Sequence, residues 1–299
     1  MGAGLHPSAG HFSLGYSVGR ALRITMRIKK TSESSDQIAP TNHWAHDPAW
    51  MADEPTISEA EGVRYLHFDS PWAQGAMKLR DPAKLVFDYT QQMMAWLLFL
   101  EPSVRDHVGI LGLGAGSLLR FTLKYTPAQL ATVEWNPRVT AVCEQYFRLP
   151  KSPRCELDHD DAQTWLMEPR NIGRYLALMV DLYDGQAQGP VRDSVTFYRR
   201  CYRALAETGV MTVNLFGHHQ SYGRNLDNIQ RAFNGRVLEL PELPEGNRIV
   251  IGLKGPLLDI SVADFMARAA DVEADCRLPA RRWARALLAQ CTDEGRVRR

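Results

Sequence analysis

Hydrophobic and polar positions change their rhythm several times along the chain. Before residue 45 there is little apolar period. Gly2, Gly4, Pro7, Gly10, Gly15 and Gly19 lead into the polar run 29–36. That content is too thin to offset the entropy of ordering, so 1–45 is expected to be disordered. Met26-Arg27-Ile28 reads as a fresh start, which marks what precedes it as dispensable. Val63 to Phe68 then has strand character, Asp69-Ser70-Pro71 punctuates it, and 74–79 offers a second strand. A small antiparallel β unit is expected over 46–80. Asp81 and Pro82 carry the signature of a helix start, and Leu85, Tyr89, Met93, Trp96 and Leu97 recur at helical spacing. This predicts a helix from Asp81 to about Leu100.

From His107 onward short apolar runs alternate with amphipathic ones. Strands are expected at 108–113, 130–134, 155–157, 175–180, 210–215, 237–240 and 249–253. Helices are expected at 118–125, 137–147, 161–166, 194–207 (stopped by Gly209) and 226–233. Such alternation implies an α/β fold with a mostly parallel, seven-stranded sheet covered on both faces. Only the turn 241–246 separates the last two strands, so they should pair as an antiparallel hairpin at the edge. The sheet domain spans 81–257. Two helices and a basic tail, 258–299, follow it.

Composition narrows the class. With 45% hydrophobic and 23% charged residues, the chain is neither wholly disordered nor collagen-like. Lys and Arg number 35 against 34 Asp and Glu, so no global basic field advertises nucleic acid as a partner. No apolar run reaches the roughly 18 residues a membrane span needs, and the N-terminus lacks the apolar core of a signal peptide. Cysteines at 143, 155, 201, 276 and 291 are odd in number and never at CxxC spacing. They read as small hydrophobes in a reducing cytoplasm rather than as a disulfide framework or zinc ribbon. His218-His219 lacks a third ligand of clear spacing, so no metal is expected.

In open α/β sheets, ligands sit at the carboxyl ends of strands. The first strand ends in Gly112-Leu113-Gly114-Ala115-Gly116. Glycines there admit positive φ and close approach of a ligand, or simply make a tight turn. The second ends in Glu134, about twenty residues on, where a carboxylate can take both ribose hydroxyls; the plainer alternative is a surface carboxylate. The third is followed by Asp160-Asp161-Ala162. A carboxylate there can accept the exocyclic amine of adenine, cap the next helix, or both. The fourth runs into Asp181-Leu182-Tyr183-Asp184. Two carboxylates at the mouth of a parallel sheet call for a cation, unless they serve a turn. The loop is GxGxG rather than the dinucleotide GxGxxG, and no P-loop lysine follows. Together these features describe a binder of an adenosyl sulfonium.

These residues make the chain resemble the spermidine synthase family, on the Rossmann-like class I S-adenosylmethionine-dependent methyltransferase fold. The resemblance covers about 60–255. It rests on 74–94, 112–116, Val133-Glu134, Asp160-Asp161-Ala162, 181–184 with Gly189-Pro190, Phe197-Tyr198 and Gly209-Val210. It implies transfer of an aminopropyl group from decarboxylated S-adenosylmethionine to putrescine, releasing methylthioadenosine, with no metal. By that resemblance Gln74 touches donor or amine, and Gly112, Gly114, Gly116, Glu134, Asp160 and Asp161 hold the donor. Tyr89 lines the polyamine channel, Asp181 is the general base and Asp184 anchors the diamine. It also implies a homodimer.

The chain departs from the family pattern at three places. Ala115 stands where the loop usually carries an aspartate for the donor's amine, and Thr90 where a histidine follows the channel tyrosine. Gly185-Gln186-Ala187-Gln188 lengthens the loop before Gly189-Pro190. Two rival readings therefore stay open: a methyltransferase on an unknown acceptor, and a silent binding module.

Overall fold

The computed structural model describes residues 22–24, 54–68, 73–183, 192–293 and 296–298. Three strands, β2 (Pro55–Ala60), β3 (Val63–Phe68) and β4 (Gly75–Lys78), form an antiparallel sheet, with β1 (Leu22–Ile24) paired to β2. Leu22–Ile24 is thus a strand within the N-terminal stretch expected to be disordered. The rest of that stretch lies outside the described residues. β2 pairs with β3 in register from Pro55↔Phe68 to Ala60↔Val63.

The large sheet contains β5 (His107–Leu111), β6 (Gln129–Glu134), β7 (Cys155–His159), β8 (Tyr175–Val180), β9 (Leu205–Phe216), β10 (Val237–Glu239) and β11 (Asn247–Lys254). Their order is β10-β11-β9-β8-β5-β6-β7. The pairs β5–β6, β6–β7, β5–β8 and β8–β9 are parallel; β9–β11 and β10–β11 are antiparallel. This is the expected seven-stranded, mostly parallel sheet with an antiparallel edge. The chain winds one way from β5 to β7 and the other from β8 onward, so the strand order reverses between β5 and β8. In open α/β sheets ligands bind at the carboxyl ends beside such a reversal.

Helices α1 (Asp88–Met93), α2 (Ser117–Tyr125), α3 (Pro137–Tyr146), α4 (Ala162–Trp165), α5 (Val195–Ala204), α6 (Tyr222–Ala232), α7 (Val262–Cys276) and α8 (Ala280–Cys291) complete the fold. One face of the sheet packs Val108, Ile110, Met179 and Ile251 against Met93, Trp96, Leu119, Phe265 and Trp283. The other packs Leu111, Val133, Leu178 and Val213 against Trp165, Phe197 and Ile229. A small third sheet, β13 (Thr292–Asp293), β14 (Arg296–Arg298) and β12 (Asp259–Ser261), ties the C-terminal helices together. All five cysteines are free, and all but Cys155 are buried. Among the described residues no helix is long and apolar enough to cross a membrane.

Two expected helices differ. The helix expected from Asp81 opens only at Asp88, after Phe87, and continues past Met93 as a 3-10 turn, Met94–Leu98. The residues that would have started it are engaged elsewhere. Asp81 pairs with Lys124 at 3.2 Å, and the Pro82 carbonyl accepts from Arg120 Nε at 2.7 Å. The helix expected to stop at Gly209 ends at Ala204, and β9 begins at once. Gly209 has another role. A Cβ there would lie 3.1 and 3.2 Å from the Tyr175 and Leu176 carbonyls, where the β8–β9 pairing shifts register. A residue without a side chain lets the strands stay close across that irregularity.

Candidate active site

The glycine loop follows β5. Gly112, Gly114 and Gly116 all have positive φ (92°, 50° and 71°). Gly112 has the least room. Its N–H donates to the Val133 carbonyl at 3.0 Å, and a Cβ would lie 2.3 Å from the Asp181 carbonyl oxygen. Asp181 N–H in turn donates to the Leu111 carbonyl at 3.0 Å. The glycine loop and the end of β8 are therefore pinned to one another at the reversal point.

β4 lies over the loop. Ser117 Oγ donates to the Ala76 carbonyl at 2.8 Å, and the Gln74 carbonyl is 3.5 Å from where a Gly114 Cβ would sit. Ala115 is buried against Gly75, whose own Cβ would come 2.6 Å from the Ala115 Cβ. Beneath the loop Arg120 is buried. Its Nη1 donates to the carbonyls of Ala115 (2.6 Å) and Phe147 (2.9 Å). Burial lowers its pKa to about 10, which still leaves it charged at neutral pH. Sequence reading missed this buttress. Its signal was an arginine among Leu118, Leu119 and Phe121 on a helix face.

Glu134 closes the loop from the β6 side. Only 7% exposed, it accepts the Leu113 N–H on Oε2 and the Asn136 N–H on Oε1, each at 2.9 Å. Asn136 caps α3 by accepting from Arg138 N–H, with Pro137 at the first turn. Glu134→Gln should place an amide N–H₂ against a backbone donor. It is expected to cost about 1–3 kcal/mol of stability and to weaken methylthioadenosine binding. A urea titration with calorimetry checks both, and unchanged values would contradict the placement.

Asp160 and Asp161 follow β7, whose last residue pairs with Glu134. Asp161 caps α4, accepting from Gln163 and Thr164 N–H on Oδ1, while Oδ2 receives Arg192 Nη2 at 2.6 Å. The cap read from sequence is present, and an arginine that sequence reading did not single out holds the second oxygen. Asp160 accepts the Asp161 N–H at 2.7 Å, and burial raises its pKa.

Asp181 follows β8. Its Oδ1 accepts from Asn214 Nδ2 at 2.9 Å, and Tyr89, on α1, hydrogen-bonds to the same carboxylate. Burial raises the Asp181 pKa above the usual carboxylate range; the hydrogen bonds from Asn214 and Tyr89 pull the other way. Burial and then the Asp181 charge hold the Tyr89 phenol well above its usual value, so it remains a donor. Tyr183 donates to the Asn214 carbonyl at 2.9 Å and meets Phe216 edge-on at 5.5 Å. Thr90 is buried, its hydroxyl donating to the Phe87 carbonyl. Asp184, Gly189 and Pro190 lie outside the described residues. His218 pairs with Glu242 at 2.7 Å and His219 with Ser221 at 2.7 Å. Among the described residues no three His, Cys, Asp or Glu side chains gather as a metal site.

The carboxyl ends of the strands thus bring together Gln74, the three glycines, Glu134, Tyr89 and Asp181, with Asp160 and Asp161 on the β7 flank. Asn214 was legible only as a polar residue inside an apolar strand. Asn247 had no signal in sequence.

No family model matches the chain. It is 31% identical over 218 residues to a polyamine aminopropyltransferase of Neisseria meningitidis serogroup A, covering 72% of this chain and 82% of the relative. It is 34% identical over 203 residues to one of Chromobacterium violaceum, covering 67% and 76%. In fold it is similar to a probable spermidine synthase from Corynebacterium glutamicum (TM-score 0.61, 19% identity, 78% and 91% coverage). It is also similar to human methyltransferase-like protein 13 solved with SAH (TM-score 0.56, 20% identity, 65% and 94%).

Proposed function

The chain belongs to the polyamine aminopropyltransferase family and is a transferase. On that premise we propose that it moves an aminopropyl group from decarboxylated S-adenosylmethionine to a diamine such as putrescine. The donor's adenosyl part would lie along the glycine loop, its ribose hydroxyls donating to Glu134 and its adenine toward Asp160 and Asp161. An aliphatic amine is protonated at neutral pH, with a reference pKa near 10.4, and cannot attack until a proton leaves. Asp181 would first attract the ammonium and then accept its proton. The freed lone pair attacks the methylene carbon on sulfur, the C–S bond breaks, and methylthioadenosine departs with the electron pair. The sulfonium is its own leaving group. Holding amine and carbon in line would supply much of the rate.

The observation that carries this reading is the setting of Asp181. A carboxylate with a raised pKa is a better base than an ordinary one, and one of its oxygens is held by Asn214. The test is direct: purified protein, decarboxylated donor and putrescine, with methylthioadenosine and spermidine followed by chromatography. Absence of both products, in protein that binds methylthioadenosine, would sink the proposal.

A second reading, methyl transfer from S-adenosylmethionine, draws on Ala115. The buried alanine offers the loop no carboxylate to hold a donor amine or to repel a donor carboxylate. Calorimetry with the two donors, each with and without putrescine, separates the readings. Tighter binding of the decarboxylated donor, coupled to putrescine, supports aminopropyl transfer. Tighter binding of the carboxylated donor, indifferent to putrescine, supports methyl transfer.

Tyr89→Phe removes one donor from the ionised form of Asp181. Its pKa then rises further, so the loss of activity on acidification begins at higher pH. We expect the acid limb of kcat/KM to move up by about half a pH unit or more, with a fall of about tenfold at neutral pH. A pH–rate profile checks the sign.

A further inference from the structure

Three adjacent strands end in a row of polar side chains across the mouth of the sheet. Val180 of β8 pairs with Val213 of β9, which sets Asp181 level with Asn214. Asn247 of β11 pairs with Phe216, two residues from Asn214 along β9, so the two asparagines are diagonal neighbours on one face. The side chains join accordingly. Asn247 Nδ2 donates to Asn214 Oδ1 at 2.9 Å, and Asn214 Nδ2 donates to Asp181 Oδ1 at 2.9 Å. Asn214 and Asn247 are 3% and 7% exposed.

A carboxamide has donors at one end and an acceptor at the other. Turned by half a rotation, Asn214 would set its oxygen against the Asp181 carboxylate and its N–H₂ against the donor of Asn247. Two buried hydrogen bonds would become two repulsive contacts. We propose that Asn247 is a positioning residue. By donating to Asn214 it fixes which end of that amide Asp181 meets, and thereby keeps the base ready to accept a proton. This rests on the reading of Asp181 as the general base.

The surroundings make the amide's orientation matter. From α1 Asp181 faces Tyr89, and from the segment after β8 it faces Tyr183, both held as neutral phenols. The ends of β5, β9 and β11 bring Gly112, Asn214 and Asn247, none of which titrates. The loops after β9 and β10 carry His218 and Glu242, which pair with each other. Among the described residues no cation hydrogen-bonds to Asp181. The donors that favour its ionised form are neutral ones, Tyr89 and Asn214, and Asn214 is the one whose direction can invert.

The experiment is a titration of the Asp181 carboxyl by ¹³C NMR on aspartate-labelled protein, the signal assigned by its absence in Asp181→Asn. It is run on wild type, Asn247→Leu and Asn247→Asp, beside pH profiles of kcat/KM with decarboxylated S-adenosylmethionine and putrescine. Asn247→Leu is neutral and lacks the donor; the Asp181 pKa should rise by about one unit, and the acid limb should follow it. Asn247→Asp accepts instead of donating, turns the Asn214 N–H₂ away and adds a charge, so its shift should be larger. A merely structural Asn247 would lower thermal stability and leave the Asp181 titration where it is, which would overturn the proposal. Should Asn247→Leu fail to fold, Asn247→Ala, which is smaller, neutral and equally unable to donate, decides in its place: an unmoved titration overturns the proposal. A shifted Asp181 titration in protein that transfers no aminopropyl group would uphold the positioning role and defeat the proposed reaction.

Discussion

Asp181→Asn should abolish turnover, by about 10²–10⁴-fold, while methylthioadenosine binds within about twofold of wild type. Substituting an amide for a carboxylate keeps shape and volume, and the introduced amide can still accept from Asn214 through its own carbonyl oxygen. What disappears is the capacity to take a proton from the amine. The same substitution should make the protein more stable at pH values above the folded pKa of Asp181. Burial raises the Asp181 pKa in the folded state. Its favourable linkage is therefore fully present below the unfolded pKa and is lost as pH rises through the folded one. Once pH exceeds the folded pKa, the interior holds a carboxylate that it disfavours, and the neutral amide relieves it. A higher melting temperature with no activity is the expected pair of results. Full activity in Asp181→Asn would remove the base from the mechanism.

Gly112→Ala is expected to be the most damaging single-methyl change among the described glycines. Its φ of 92° already strains any L-residue, and the new Cβ would sit 2.3 Å from a backbone oxygen that cannot rotate away. Overpacking and left-handed backbone each cost about 1–3 kcal/mol, so a loss of about 2–6 kcal/mol is expected. Methylthioadenosine binding should fall with it, because the distortion lies in the glycine loop proposed to hold the adenosyl group. Gly173→Ala is the control. Its φ is 67°, with nothing within 4 Å of the added carbon, so only the backbone term remains. Urea titrations of the two variants separate sterics from conformation. Equal destabilisation would mean that the Gly112–Asp181 approach does not matter.

Much of this was readable along the chain, for identifiable reasons. The buried strands 108–113 and 175–180 are short apolar runs whose neighbours supply helix, so their parallel pairing follows from connection alone. Gly112 and Glu134 stand out because they interrupt such runs at their carboxyl ends. The start of α1 was not readable, because Asp81 and Pro82 present a helix signature that only Lys124 and Arg120, about forty residues away, can override. Gly209 misled in the same way: its local meaning is a stop, its tertiary one a close approach of two strands. Asn247 was invisible, since a lone asparagine after Gly246 reads as part of a turn. Only the antiparallel register of β11 on β9 brings it beside Asn214.

Gly75 against Ala115 has a consequence for how such a chain can be recombined. The small sheet looks like a detachable module in sequence, yet its last strand forms part of the wall behind the glycine loop. The two surfaces meet with no space for one added carbon. A crossover that brought in 54–80 from a relative with any larger residue at position 75 would carry a misfit directly into the glycine loop. Position 75 and position 115 must therefore be inherited together, and the small sheet travels with the active site as a single unit of exchange.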